Sequence, residues 1–378
     1  MKFIRSAFSV DRLIGYTMLL GFLALHFINP APVEFARLKV FDYYQQFKPR
    51  EIPLPQNKPV TIIDIDEQSL ETIGQYPWPR NIMAKLVDNA MAMGARLIAF
   101  DIVFAEPDGK DLGTVAKIAK GLSPEITKLL TSRLSNDQIL ANSIKKGRVV
   151  LGQAGRTNVT EGVKGPPVKR SIGIKKMSKD ALDPKHYLLQ FPALVRNLPV
   201  LEAAAKKNKF AGFGMFNAIP DEDGIIRNVP SFFVHDDKYF PSLAIEILRI
   251  ATGRPTVLAI TNVAGMQGVA VAKGFTVKTD NIGRIWPHFS KRDWDKYVPA
   301  RELLDGTADP TKIKGKILIV GTSAVGLRDI RTIPTERDIP GVEVHAQVIE
   351  AIIHQNYLTR PNYANAAELA FVLFGGLI

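Results

Sequence analysis

The sequence predicts an α/β fold: a mostly parallel central sheet flanked by helices with antiparallel hairpin additions, plus an N-terminal transmembrane helix and the start of a second. Three observations carry that expectation. Four short apolar runs, VTIIDI (60–65), RLIAFDIVF (96–104), GRVVLG (147–152) and GKILIVGTS (315–323), look like strands buried on both faces. Helix-patterned stretches separate them, as the crossovers between parallel strands require. Alternating runs broken by Gly and Asp between residues 210 and 289 read as hairpins.

The elements follow in order. Leu13 to Ile28, LIGYTMLLGFLALHFI, holds no charged residue. Sixteen residues make about 24 Å of helix, slightly short of a ~30 Å hydrocarbon core. Lys2, Arg5 and Arg12 precede the run, which orients the N-terminus to the cytoplasm. A cleavable signal peptide is the rival reading, because INPAPVEFA offers small residues downstream. The far end favours an uncleaved anchor: Leu369 to Ile378 is apolar and has the look of a second membrane helix that is cut short. The expected organisation is therefore an anchor over 1–30, an extracytoplasmic domain over 31–366, and the start of a truncated span over 367–378.

After the anchor, Phe35, Leu38, Phe41, Tyr44 and Phe47 recur at near-helical spacing, which predicts a helix packing on its own domain. Three prolines in IPLPQNKP (52–59) end it. PRNIMAKLVDNAMAMG (79–94) places Ile82, Leu86, Ala90 and Met93 on one helical face, with Gly94 as the C-terminal stop. Residues 105–146 are polar and helix-like, and the Gly-, Lys- and Pro-rich segment 155–185 reads as an exposed loop or insertion. FAGFGMFNAIPDEDGIIRNVPSFFVHDDKYFP (210–241) and AKGFTVKTDNIGRIWPHF (272–289) read as hairpins, and PSLAIEILRIATG (241–253) as a helix. The last helix, within 340–358, aligns Val342, Ala346, Ile349 and Ile353.

Net charge is +12, but the basic residues are scattered, and their densest patch, VKRSIGIKKMSK (168–179), has no aromatic to stack a base. A nucleic-acid partner is not expected; anionic lipid or polysaccharide suits the charge equally well. The absence of cysteine excludes disulfides, thiolate metal sites and cysteine nucleophiles. The six histidines show no metal-binding spacing, and no hydrolase elbow or kinase motif occurs. No catalytic residue, metal site or cofactor is expected.

One constellation stands out. Asp64, Asp66 and Glu67 close the first apolar run, Trp78 and Arg80 follow, and Asp101 closes the second. Ligands of parallel sheets bind outside the carboxyl ends of strands, and acids on neighbouring strands about 4.8 Å apart would share a site. These residues suit a divalent metal, a general acid–base pair, or a structural network in which Arg80 bridges the acids and Trp78 fixes the turn. VGTSAVGLRD (320–329) adds Thr322, Ser323, Arg328 and Asp329 after another strand. Its pattern is not a P-loop, and a tight strand exit competes with anion binding. DEDGIIR (221–227) has the acids of a calcium loop without its remaining ligands, so a hairpin turn with Gly224 at positive φ is expected. The candidate ligand-binding or signalling network is thus Asp66, Trp78, Arg80, Asp101, Thr322, Ser323, Arg328 and Asp329.

Residues 60–108 closely resemble the signature of the type-two CHASE domain, the cyclase- and histidine-kinase-associated sensory extracellular domain of bacteria. The likeness continues through GRVVLG, PDEDGIIRNVP (220–230), PSLAIEIL (241–248), KGKILIVGTSAVGLRDIRTIP (314–334) and PGVEVHAQVIEAIIHQNYL (340–358). It covers about Phe41 to Arg360, and the matching positions include Asp66, Pro77, Trp78, Pro79, Arg80, Asp101, Asp223, Gly224, Arg227, Gly321, Asp329, Pro340, Gly341 and His345. The resemblance implies a periplasmic sensor in the bacterial inner membrane, a homodimer with an unknown extracellular ligand. It would feed a cytoplasmic output domain, most often a class III adenylate or guanylate cyclase, otherwise a histidine kinase or another kinase. A periplasmic metal-dependent enzyme built on Asp66 and Asp101, or a wall-binding module, are the alternatives from other classes.

Overall fold

The apolar runs form the strands that their composition demands. The structure, a computed structural model, describes residues 10–119, 121–158, 172–327, 329–361 and 363–377. β1 (Val60–Ile65), β2 (Leu97–Phe100), β3 (Val149–Arg156), β4 (Ala211–Met215), β5 (Tyr297–Pro299) and β6 (Ile317–Thr322) lie parallel in the order β5-β1-β6-β2-β3-β4. Ala193–Val195 pairs antiparallel with the far end of β3.

Period-two alternation sends each strand's side chains into two cores. Ile63, Ile65, Ile98, Phe100, Leu318 and Val320 pack beneath α2 (Arg80–Ala92), α3 (Asn136–Lys146) and α4 (Pro199–Lys207). Val60, Ile62, Leu97, Ala99, Ile317 and Ile319 face α5 (Leu243–Ala251) and α6 (Gly341–Ile353). Full burial of each larger aliphatic side chain contributes about 1.5–3 kcal/mol. α1 (Glu67–Ile73) follows β1 and is capped by Asp66. A Cβ on Gly321 would collide with Val342, so this glycine lets α6 lie flush on β6.

Several expectations need correction. Ala211–Met215, read as part of a hairpin, is a parallel strand of the main sheet. Gly212 and Gly214 explain it: Cβ atoms there would meet Glu246 and Leu243, so the strand is bare where α5 crosses it. Phe232–His235 and Lys238–Pro241 do form a hairpin, turning at Asp236 and Asp237, while Gly224 sits at φ 80° in a separate turn that Asp221 opens. Buried Arg227 straps that turn, donating to Asp221 at 2.7 Å and to Asp223 at 2.6 Å. Within the basic 155–185 segment, 159–171 lie outside the described residues, whereas Ile172–Lys176 is a strand parallel to Val257–Asn262.

Two compact units divide the chain: Pro49–Leu358, which holds everything above, and Met1–Lys48 with Thr359–Ile378. In the second unit, helix Val10–Ile28 breaks at Asn29, with φ 43°, before helix Ala31–Phe47. Helix Ala364–Leu377 packs against Val10–Ile28. Among the described residues no single helix is long and apolar enough to cross a membrane. The bent pair Ile14–Ile28 and Ala31–Phe47, angled at 78°, passes that test together. The aromatic stripe expected to pack is largely uncovered: Phe35, Tyr44 and Phe47 are exposed, while Asp42 and Gln45 are buried.

Candidate functional site

At the carboxyl ends of β2 and β6 the chain leaves the sheet and opens a cavity of about 320 Å³. Its polar lining is Asp101, Thr322, Asp329, Arg331 and His345. Tyr76, Ile102, Phe216 and Leu327 supply apolar wall, and Gly341 marks the first turn of α6. Asp101 follows β2 directly. Its N–H donates to the Val320 carbonyl at 3.0 Å, which continues the ladder one residue beyond the strand.

Two buried ionisable groups dominate this space. His345 Nε2 lies 3.1 Å from the Phe216 carbonyl, which can only accept, so Nε2 carries the proton. Nδ1 is then a lone-pair acceptor, buried with no partner among the described residues. Burial, reinforced by Arg331, lowers the imidazole to about 4 against the opposing pull of the Phe216 carbonyl. The Asp101 carboxyl lies 3.7 Å from His345 Nε2 and is 5% exposed. Burial, with Asp329 adding repulsion and Arg331 opposing, pushes it up to about 8. At neutral pH a protonated acid therefore sits beside a neutral imidazole. At the rim, the Asp329 carboxylate pairs with Arg331 at 2.9 Å, and its carbonyl accepts from Gly341 N–H at 2.9 Å. Asp329 thereby occupies the N-terminus of α6, where a negative charge is stabilised.

The remaining predicted residues lie elsewhere. Asp66 accepts from Ser69 N–H at 2.9 Å as the N-cap of α1. Ser323 donates to Asp64 at 2.6 Å, and burial raises that carboxyl to about 6 despite the bond. Trp78 is buried and donates to the Gly74 carbonyl at 2.6 Å. Arg80 lies over the Phe104 ring at 4.7 Å and 3.9 Å from Asp137, while its N–H donates to Asp108 at 2.7 Å. No ion pair joins Arg80 to Asp66 or Asp101 among the described residues. Arg328 lies outside the described residues. The condition for Asp66 and Asp101 to reach one site, that their strands be neighbours, is not met: β6 runs between β1 and β2 and separates the two strands by about 10 Å. Among the described residues no cluster of three or more His, Asp or Glu side chains is placed to hold a metal ion.

Sequence reasoning missed Tyr76, Phe216 and Arg331 as cavity residues. It also missed a buried charge cluster on the other side of α6. Lys296 reaches Glu343 at 3.2 Å and Glu350 at 3.1 Å. Arg50 pairs with Glu350 at 2.8 Å, Tyr297 donates to Glu343 at 2.6 Å, and Gln347 donates to Glu343 at 3.0 Å. Burial acts to lower the Lys296 ammonium, yet the two glutamates outweigh it and raise it. The i, i+4, i+7 spacing of Glu343, Gln347 and Glu350 was the available signal, but a helix face of that composition normally meets water.

The chain belongs to the CHASE2 domain family, matching it over residues 17–378. CHASE2 domains are extracellular sensory domains of signalling proteins. No curated protein and no solved structure matches the chain.

Proposed function

We propose that the protein is a membrane-anchored periplasmic sensor of the bacterial inner membrane. It works as a homodimer and passes a stimulus received at the α6 cavity to a cytoplasmic output domain, a class III nucleotide cyclase. The cyclase assignment rests on the family resemblance; anchorage rests on the bent apolar helix pair and on the meeting of both chain ends in one helical unit.

The course of α6 is the observation that carries the reading. Its first turn lines the cavity through Gly341 and His345. Its opposite face holds Arg50 through Glu350, and Arg50 is the second residue of the large unit after the N-terminal helices. Arg50 also donates from its backbone to Phe289 at 2.9 Å and from Nε to the His288 carbonyl at 3.0 Å. The exit strand Tyr357–Leu358 pairs with Trp286 and Pro287 of the same short segment. One helix and one strand thus touch the cavity, the entry and the exit, and a shift of α6 moves both crossings together. Coupling of this kind requires only about 1–3 kcal/mol of differential binding between two states.

The test is Arg50→Met in the gene-length protein, with cyclic-nucleotide output measured in membranes. A change in basal output of about fivefold or more is expected from the loss of ~1 kcal/mol of coupling. Folded, membrane-inserted variant with wild-type output would remove the reading.

A further inference from the structure

We propose that the cavity at the head of α6 binds a small organic monocation, an amine or guanidine on a short apolar stem, seated against the Asp101 carboxyl. The assignment rests on the sensor reading above and gives its site a ligand class.

Charge and hydrogen-bond inventory select the cation. The lining offers two carboxyl groups and one guanidinium, and the Asp329–Arg331 pair at 2.9 Å already matches one of each. The Asp329 carboxyl also stands beside Gly341 at the N-terminus of α6, and its negative charge disfavours an anion there. The Asp101 carboxyl has no such match: among the described residues it accepts no hydrogen bond, and the His345 Nε2 proton beside it is committed to Phe216. His345 Nδ1 is a second buried acceptor without a donor. Once Asp101 gives up its proton, the described lining offers its carboxylate neither an N–H donor nor a matching positive charge. An ammonium or guanidinium brings both, whereas a neutral alcohol brings only a donor and a carboxylate brings neither.

Shape agrees. About 320 Å³ is the low end of the ~300–1,000 Å³ range of small-molecule sites. Tyr76 and Phe216 present aromatic walls that suit a cation next to a short alkyl chain, and Ile102 adds apolar surface for the stem. A metal ion is a poorer fit, because among the described residues no third His, Asp or Glu side chain is placed to join Asp101 and His345.

The exchange balances as Asp101 carboxylic acid plus ligand cation giving a carboxylate–cation pair plus one proton released to solvent. Because burial holds Asp101 protonated up to about pH 8, binding at pH 7 expels about one proton per cation.

The full chain in detergent is titrated calorimetrically at pH 7 with n-butylammonium and n-butylguanidinium, in two buffers of unlike ionisation enthalpy. n-Butanol and butyrate are the controls. The expected result is saturable binding of a cation with Kd below ~10 mM, release of about one proton, and affinity that rises about tenfold from pH 6 to pH 7. Asp101→Asn weakens binding at least ~tenfold and abolishes the proton release; Asp66→Asn does neither. No saturable heat with either cation, binding without proton release in the wild-type chain, or undiminished binding in Asp101→Asn overturns the proposal. The proton count needs no variant and so survives any folding defect. If cations fail to bind while folded Asp101→Asn still changes cyclic-nucleotide output, the ligand class falls and the sensor site stands. If that variant leaves output unchanged as well, both fall.

Discussion

The two sides of α6 bury ionisable groups on opposite terms. On one side Lys296, Arg50, Glu343 and Glu350 are all buried, and each touches a group of opposite charge. On the other, Asp101 and His345 are buried with no counter-charge of their own among the described residues, and both are pushed toward their neutral forms. At 100° per residue, Gly341 and His345 fall on the side of the helix away from Glu343, Gln347 and Glu350. A folded protein tolerates buried charge when partners offset desolvation, and it tolerates an unpartnered titratable group where function requires one. A single helix thus carries a fully paired charge cluster on one face and two neutralised groups on the other.

The hardest way to break the contrast is to strip the paired cluster. Lys296→Met leaves Glu343 and Glu350 sharing a dry space with too little positive charge. A loss of about 3–5 kcal/mol in urea unfolding of the full chain is expected. A loss below ~1 kcal/mol would show that the cluster is not a clamp.

A second, smaller effect sharpens the cavity side through pH. The raised Asp101 value means that the folded state binds its proton more tightly than the unfolded chain, so this group's contribution is full below about pH 4 and is lost as pH rises through about 8. His345 works the other way: its lowered value makes stability rise between about pH 4 and its ordinary 6.5. Asp64, raised to about 6, adds a fall that is complete by then. Between pH 6.5 and 8 Asp101 therefore acts with little opposition from these groups, and stability should fall by about 2 kcal/mol. Unfolding of Asp101→Asn across that interval should be flatter by this amount. An unchanged slope would mean that Asp101 is ionised in the folded protein.

The smallest effect tests whether the end of β1 belongs to either side. Asp66→Ala removes the N-cap of α1 and should cost about 1 kcal/mol. Its cyclic-nucleotide output in the gene-length protein should match wild type. Altered output would return Asp66 to the signalling network.

The legible part of the site was the part written along single strands. Asp101 follows its apolar run directly, Thr322 ends another and Asp329 lies one short turn beyond it, and the strand-end rule finds them. Tyr76, Phe216 and Arg331 reach the cavity from segments far apart in the chain, and no local pattern joins them. Arg80 was misread for a related reason. An arginine near several acids in sequence suggests a bridge, but its place at the start of α2 turns it toward Asp137 and the face of Phe104.

By itself the sequence determined the parallel α/β core, the turn at Gly224, the family and the apolar helices at both ends, because periodicity, glycine geometry and hydrophobic runs act over a few neighbouring residues. Only the tertiary structure decided that β6 enters between β1 and β2, parting Asp66 from Asp101, and that Gly212 and Gly214 turn a seeming hairpin arm into a core strand under α5. It also decided which face of α6 is clamped and which is left open. Strand order and burial of charge are set by contacts between segments hundreds of residues apart, such as Arg50 with Glu350, and local composition carries no record of which partner such a group will meet.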